Sequence, residues 1–89
     1  MKTPEELMGM RVKELRKKAG LTQEELARLS YLDRSYIVSL ENGHRNPTVI
    51  TISRIAAGMG LRLVDYFDSP LFDELEKQEK KKNEEANSQ

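Results

Sequence analysis

The fold is decided by the stretch LTQEELARLSYLDRSYIVSLENGHR, which occupies residues 21–45. Its first half begins at Thr22, a residue type that caps helix N-termini, and Glu25 completes the pattern of a capping box. Its second half begins at Asp33, another capping residue type, and ends at Gly43, a type favoured just after helix C-termini. Two short amphipathic helices with a brief turn between them predict a helix-turn-helix.

The second of these helices has one apolar and one polar face. Ile37 and Leu40 lie at helical spacing and form its inward side. The opposite side is a stripe that follows Arg34 and consists of Ser35, Val38, Ser39 and Asn42. Arginine can donate in a fork to guanine, hydroxyls can bond several bases, and an exposed valine can contact a thymine methyl group. The stripe therefore fits a surface that reads the major groove, although an ordinary solvated face has a similar composition.

Similar start signals mark the helices around this motif. Thr3 followed by Pro4 predicts a first helix that ends near Lys18, and Thr48 predicts the start of a fourth helix. The expected inward face of the first helix consists of Met8, Val12 and Leu15, with Leu7 near its edge. Its last turn, residues 16–18, is wholly cationic, which either compensates the helix dipole or offers a phosphate contact.

Residues 61–67 contain more apolar surface than a small core requires. The surplus side chains are Leu63, Val64, Tyr66 and Phe67, and Ile50 does not fit the inward face of the fourth helix. Surplus apolar surface of this kind is a usual reason for two-fold dimerisation. We therefore predict a dimer interface here, and the alternative is that these residues simply close the core.

The end of the chain changes in composition. Ser69 and Pro70 begin a further helix whose second half has no apolar residue except Ala86. This divides the chain into a helix-turn-helix domain, residues 1–69, and a C-terminal helical extension, residues 70–89. We expect residues 70–76 to dock on the dimer or on the partner subunit, and the charged end, residues 80–89, to be frayed.

Composition restricts the possible functions. A chain of 89 residues is one small domain with a marginal core, which dimerisation often stabilises. The sequence has no cysteine and a single histidine, His44, so we expect no disulfide, no metal site and no cofactor. No apolar run approaches the roughly 20 residues of a membrane span and no signal peptide is evident, from which we expect a cytoplasmic protein. No catalytic set of nucleophile, base and acid is present, so no enzymatic activity is expected.

The formal net charge of zero is unevenly distributed. Residues 1–69 carry eleven cations and nine acids, a net of +2, whereas residues 70–89 carry four cations and six acids, a net of −2. An excess of this size is far from that of domains which bind nucleic acids by charge alone. Binding to DNA would therefore depend on a set of placed contacts.

Three segments together resemble the helix-turn-helix family of Cro and the lambda-type phage repressors, also called the xenobiotic-response-element family. They are GMRVKELRKKAGLTQEELARLS, LDRSYIVSLENG and NPTVITISRIAAGMGL, and the resemblance covers residues 9–61. Within that family, DRSYIVSLENGHRNPT is most similar to the controller proteins of restriction-modification systems, which are small dimeric transcription regulators. The resemblance implies an all-α, five-helix lambda-repressor-like DNA-binding domain, to which the C-terminal helix is an addition.

The resemblance also implies roles for individual residues. The residues that would read base edges are Arg34, Ser35, Val38 and Ser39. Those that would contact the DNA backbone are Gln23, Tyr36, Asn42, Arg45 and Asn46, although Tyr36 could instead pack at the helix edge. Arg16 would pair with Glu41, whose negative charge otherwise opposes the dipole at the end of the third helix. The dimer interface would include Ile50, Leu63, Val64, Tyr66 and Phe67.

Two positions depart from the family's pattern. Controller proteins commonly have a small hydroxylated residue where this chain has Val38. The family usually has Gly or Asn, often with a positive φ, where this chain has Tyr31. A tyrosine there implies either a different turn conformation or compensating contacts of its ring.

The sequence is therefore interpreted as that of a sequence-specific, dimeric DNA-binding transcription regulator. Its expected partners are a roughly palindromic double-stranded operator and a second copy of the chain, with RNA polymerase as a further candidate. A restriction-modification controller is the most similar type, and a phage-type repressor or an antitoxin is the close alternative. A protein-interaction module on the same scaffold is the more distant one. The near-zero charge and Val38 favour this module, whereas Gln23, Arg34, Asn42 and Arg45 oppose it.

Overall fold

The computed structural model describes residues 1–87, which form six helices and no strand. In chain order these are α1 (Pro4–Lys18), α2 (Gln23–Leu29), α3 (Arg34–Glu41), α4 (Val49–Gly58), α5 (Leu63–Phe67) and α6 (Leu71–Asn87). α3 packs against α1 and α2, α4 packs against α2 and α5, and α6 packs against α1. The all-α prediction is confirmed, with α6 added to a five-helix domain. Among the described residues, no helix combines the length and the apolar character that a membrane span requires.

Threonine caps begin three of these helices. The side chains of Thr3, Thr22 and Thr48 each accept a hydrogen bond from a backbone amide of the first turn. In α1 and α2, Glu6 and Glu25 accept the return bond from the backbone amide of the capping threonine, which lowers the pKa of both carboxyl groups. α3 differs, because the residue at its N-cap, the predicted Asp33, makes no side-chain capping bond.

The core lies where α1 to α5 meet, and α6 adds Phe72 to it. Its most enclosed side chains are Leu7, Val12, Leu26, Ile37, Leu40, Ile52, Ile55 and Tyr66. On α1, Leu7 is fully buried and Met8 only partly, the reverse of the expected order. Leu7 lies one helical turn before Arg11, which faces α5, so this side of α1 is covered as well.

α1 approaches the end of α3 closely at Gly9. A Cβ atom at this position would lie 2.1 Å from the carbonyl oxygen of Leu40, so a larger residue would force the two helices apart. The end of α3 is itself sharply defined, since Gly43 has a φ of 78° and the amide of His44 returns to the carbonyl of Ser39. These contacts fix the C-terminal end of α3 against α1.

α6 is tied to its own subunit. Phe72 is buried, and its ring centroid lies 5.9 Å from that of Tyr66. The backbone amide of Lys2 donates to Glu74, and the side chain of Gln78 donates to the carbonyl of Lys2. The segment expected to dock on the dimer or on a partner therefore packs within its own chain, against α1, the residues before it and Tyr66 of α5. The boundary between residues 69 and 70 stays a prediction.

The charged end of α6 is helical as far as it is described, and its fraying stays a prediction. The helix continues to Asn87, supported by pairs such as Lys82 with Glu79 at 3.3 Å. The end of the stretch expected to fray, residues 88–89, lies outside the described residues.

Candidate nucleic-acid interface

α3 presents the predicted polar stripe on its outer side. Arg34 and Ser35 are exposed in its first turn, and Val38 and Ser39 are partly exposed one turn later. Ile37, between them in sequence, is completely buried. The four residues predicted to read bases thus share one face of one helix, and their contact with base edges stays a prediction.

A buried ion pair holds the C-terminal end of α3 against α1. Arg16 donates to Glu41 through Nε at 2.7 Å and through Nη2 at 3.0 Å, and its Nη1 donates to the carbonyl of Leu21 at 2.8 Å. The two side chains are only 11% and 2% exposed. Hydrogen bonding to Glu41 raises the pKa of Arg16, so the guanidinium stays charged. The structure contains the pair that the resemblance implied.

Gln23 joins this ion pair from the first turn of α2. Its Nε2 donates to Glu41 Oε1 at 3.2 Å. A glutamine amide has two hydrogens, so one remains available to a phosphate oxygen. Its predicted DNA-backbone contact is compatible with this geometry, and Glu41 orients the side chain for it.

A second group lies beyond the end of α3. The guanidinium of Arg45 lies 5.3 Å from the ring centroid of Tyr36, a cation–π distance. Tyr36 is partly buried against the core, whereas Asn42, Arg45 and Asn46 are exposed in the loop before α4. The structure therefore places Gln23, Asn42, Arg45 and Asn46 at or just after the C-terminal end of α3, whereas Tyr36 belongs to its first turn. Gln23 lies at the start of α2, and the others lie on α3 and the loop after it.

Tyr31 adopts the conformation that the family's Gly or Asn would favour. Its φ is 57°, and its residue is 88% exposed. A left-handed conformation costs a residue with a Cβ about 1–2 kcal/mol. The turn is thus of the family's usual kind, and the exposed ring offers little burial in return.

An apolar surface remains open where α4 and α5 pack together. Its members are Val49 (66% exposed), Ile50 (68%), Val64 (59%) and Phe67 (41%). Leu63 is partly buried against the core. Val49 was not among the residues predicted for the dimer interface. We call these four exposed side chains the apolar α4–α5 surface.

The assignment of Tyr66 to the dimer interface is wrong. Its residue is 0% exposed, and its hydroxyl donates to the carbonyl of Met8 at 3.1 Å. α5 turns this side chain towards α1 and α6, where burial raises the pKa of the phenol. Tyr66 closes the core of its own subunit.

The sequence reading also missed the role of Arg11. Its residue is 9% exposed, and its guanidinium donates to three carbonyls at the end of α5 and pairs with Glu14. Backbone acceptors carry no sequence signature. The one available signal was its position, one turn after Leu7 and one turn before Leu15 on a buried stripe.

Residues 1–87 contain no cluster of three or more acidic or histidine side chains that could hold a metal ion. His44 is exposed in the loop after α3.

Comparison with known proteins gives this arrangement a context. The HTH_3 helix-turn-helix model matches residues 12–66. The chain is 42% identical to control protein C.MunI from Mycoplasma sp over 71 residues, which cover 79% of this chain and 89% of that protein. It is 36% identical to the immunity repressor protein of Bacillus phage phi105 over 56 residues, which cover 63% of this chain and 39% of that protein.

Solved structures show the same likeness. The restriction-modification controller protein C.AhdI from Aeromonas hydrophila superimposes with a TM-score of 0.67 and 39% identity, over 70% of this chain and 94% of that chain. The wild-type controller protein C.Esp1396I superimposes with a TM-score of 0.73 and 32% identity, over 84% of this chain and 97% of that chain. Since the family model covers more than half of the sequence, this protein belongs to the HTH_3 helix-turn-helix family.

Proposed function

We propose that this protein is a sequence-specific DNA-binding transcription regulator that acts as a homodimer. The observation that carries the proposal is the outward face of α3, where Arg34 and Ser35 are exposed and Val38 and Ser39 partly exposed. The opposite face, with Ile37 and Leu40, is fully buried. A helix held in this way can enter the major groove with a fixed face towards the bases.

The residues around α3 supply the contacts that position a helix on DNA. Gln23 reaches Glu41 at the C-terminal end of α3, and Asn42, Arg45 and Asn46 follow that end, all with side-chain donors for phosphate oxygens. Arg34 provides the fork that suits guanine O6 and N7. Because the chain has no net charge, its affinity for DNA depends on these placed donors and should fall only moderately with salt.

Dimerisation follows from the apolar α4–α5 surface. Four large apolar side chains stand open on two adjacent helices of a small domain, which is unfavourable unless a partner covers them. A two-fold axis through this surface presents two copies of α3 to one side of a duplex. The operator is then roughly palindromic, with half-sites about 34 Å apart.

The similarity to C.MunI, C.AhdI and C.Esp1396I supports a restriction-modification controller as the specific type of regulator. In that role it would change transcription of its own operon, with RNA polymerase as a further partner. The relatives described above are named as control or controller proteins and as a repressor, and we propose no enzymatic activity.

Selection from a random duplex pool tests this proposal. The expected result is enrichment of a two-fold symmetric site, whose half-site spacing can be read directly from the aligned winners. Failure to enrich any site at low salt, with a folded dimer shown by sedimentation, would contradict it. That result would instead favour a protein-interaction module on the same scaffold.

A further inference from the structure

α1 carries two buried arginines that point in different directions. Arg11 and Arg16 are each 9% exposed. A separation of five residues on an α-helix corresponds to a rise of about 7.5 Å and a rotation of about 140°. Arg16 accordingly reaches α3 through Glu41, whereas Arg11 reaches the end of α5. One helix is thus bonded both to the candidate recognition helix and to a helix of the apolar α4–α5 surface.

The guanidinium of Arg11 closes the C-terminal end of α5. Its Nε donates to the carbonyl of Tyr66 at 2.7 Å, and its Nη2 donates to those of Asp65 at 2.9 Å and Asp68 at 3.1 Å. Carbonyls at a helix end lack partners further along the helix and carry partial negative charge, which a buried cation satisfies. A helix of five residues is not stable by itself, so the position of α5 depends on such contacts.

The open side chains of α5 lie within this bonded segment. Val64 and Phe67 flank the two residues Asp65 and Tyr66 whose carbonyls Arg11 holds. Any shift of α5 along α1 therefore moves part of the apolar α4–α5 surface. On the side of α1 that faces α3, the close approach at Gly9 and the Arg16–Glu41 ion pair prevent α3 from shifting along α1.

We propose that Arg11 is a positioning residue that sets the half-site spacing which the dimer accepts. By fixing α5 on α1, it determines the distance and the angle between the two recognition helices across the two-fold axis. This inference rests on the proposed function, because it requires a dimer that binds DNA through α3.

The test compares the selected operator with two duplexes in which the same half-sites are one base pair closer or further apart. Each step changes their separation by about 3.4 Å and their rotation by about 35°. Wild-type protein should bind the shifted duplexes at least about tenfold more weakly, since both half-sites cannot be occupied without strain. Arg11→Lys keeps the charge but cannot span three carbonyls, and the penalty should fall to about threefold or less. Affinity for a single half-site should not change.

Leu26→Val is the matched control, because it destabilises the buried core from α2 and leaves every bond of Arg11 in place. It should keep the wild-type penalty. A wild-type penalty in Arg11→Lys, or an equal loss in Leu26→Val, would overturn the inference.

A second variant covers the case in which Arg11→Lys is unfolded by circular dichroism. Arg11→Gln keeps a side-chain amide near the end of α5 but cannot span its three carbonyls. An intermediate penalty for the shifted duplexes supports the inference, and a wild-type penalty overturns it. If wild-type protein binds the symmetric site but tolerates every spacing, only the inference fails. If wild-type protein prefers no site at all, the proposed function fails with it.

Discussion

The two buried arginines of α1 hold neighbouring helices by different chemistry. Arg16 meets a carboxylate, so a full positive charge is neutralised by a full negative charge in a site from which water is largely excluded. Arg11 meets neutral carbonyls, and its ion-pair partner Glu14 is about half exposed. The contact between α1 and α3 therefore depends on charge pairing, whereas the contact between α1 and α5 depends on satisfying a helix end. The two contacts should respond differently to substitution.

The largest effect is expected when the buried carboxylate is removed. Glu41→Ala leaves the charge of Arg16 buried without its partner, and we expect a loss of about 3–5 kcal/mol in the free energy of unfolding. Urea denaturation measures it. The double variant Arg16→Met with Glu41→Leu should recover most of this loss, because two apolar side chains leave no unpaired charge. Stability of Glu41→Ala equal to that of the wild type would mean that the pair does not hold α3.

Removal of the other guanidinium should cost less. Arg11→Met keeps the aliphatic stem but leaves the end of α5 without donors, at an expected cost of about 2–3 kcal/mol. Lys13→Met, on the exposed side of the same helix, is the control and should change stability by less than about 0.5 kcal/mol. If Arg11→Met proved more damaging than Glu41→Ala in the same denaturation series, the proposed difference between the two contacts would be reversed.

The exposed Arg34 should affect DNA binding and not stability, unlike the two buried arginines. Arg34→Ala should leave the unfolding free energy unchanged, yet weaken binding to the selected site by about 1–3 kcal/mol and relax base choice there. Arg28→Ala, an exposed arginine of α2 outside the stripe, is the matched control. Titration with the selected duplex and with a random duplex measures the affinity and the base preference of each variant. Equal ratios of specific to random affinity in Arg34→Ala and wild type would remove Arg34 from the reading surface.

The smallest effect concerns pH and the exposed helix caps. Their backbone bonds lower the pKa of Glu6 and Glu25 from the ordinary value of 4.5, so these carboxylates stabilise the fold above that pH. The contribution is lost as the pH falls through their lowered pKa values. Melting temperatures between pH 7 and pH 3 should therefore fall less in the variant Glu6→Gln with Glu25→Gln than in the wild type. Identical pH profiles would show that the caps contribute nothing through charge.

The two contacts also differ in how far the sequence could predict them. Glu41 is an anion at the end of a helix, which calls for a compensating cation, and the resemblance supplied Arg16 as that cation. Arg11 bonds to backbone carbonyls, which every residue type has. The side chains of α5 therefore give no sign of the contact in the sequence. An ion pair between side chains can be predicted from both of its residues. A contact to a backbone carbonyl can be predicted only from the residue that donates.

The apolar residues also differ in how far the sequence predicts which of them are buried. The helix boundaries and the buried residues of α3 and α4 followed from caps and spacing, because these signals are local. Tyr66 was placed at the surface because a five-residue helix is too short to show which side faces inward. Its orientation is set by α1 and α6, which lie far away in the sequence.

The central claim is that placed contacts, and not net charge, give this protein its affinity for DNA. Anisotropy titration of the wild-type protein on the selected operator and on a shuffled duplex, at two salt concentrations, tests it most directly. We expect the operator to bind at least about a thousandfold more tightly than the shuffled duplex at physiological salt. Affinity for the operator should fall with salt according to the few phosphates contacted. Equal affinities for the two duplexes, falling together as salt rises, would contradict the account.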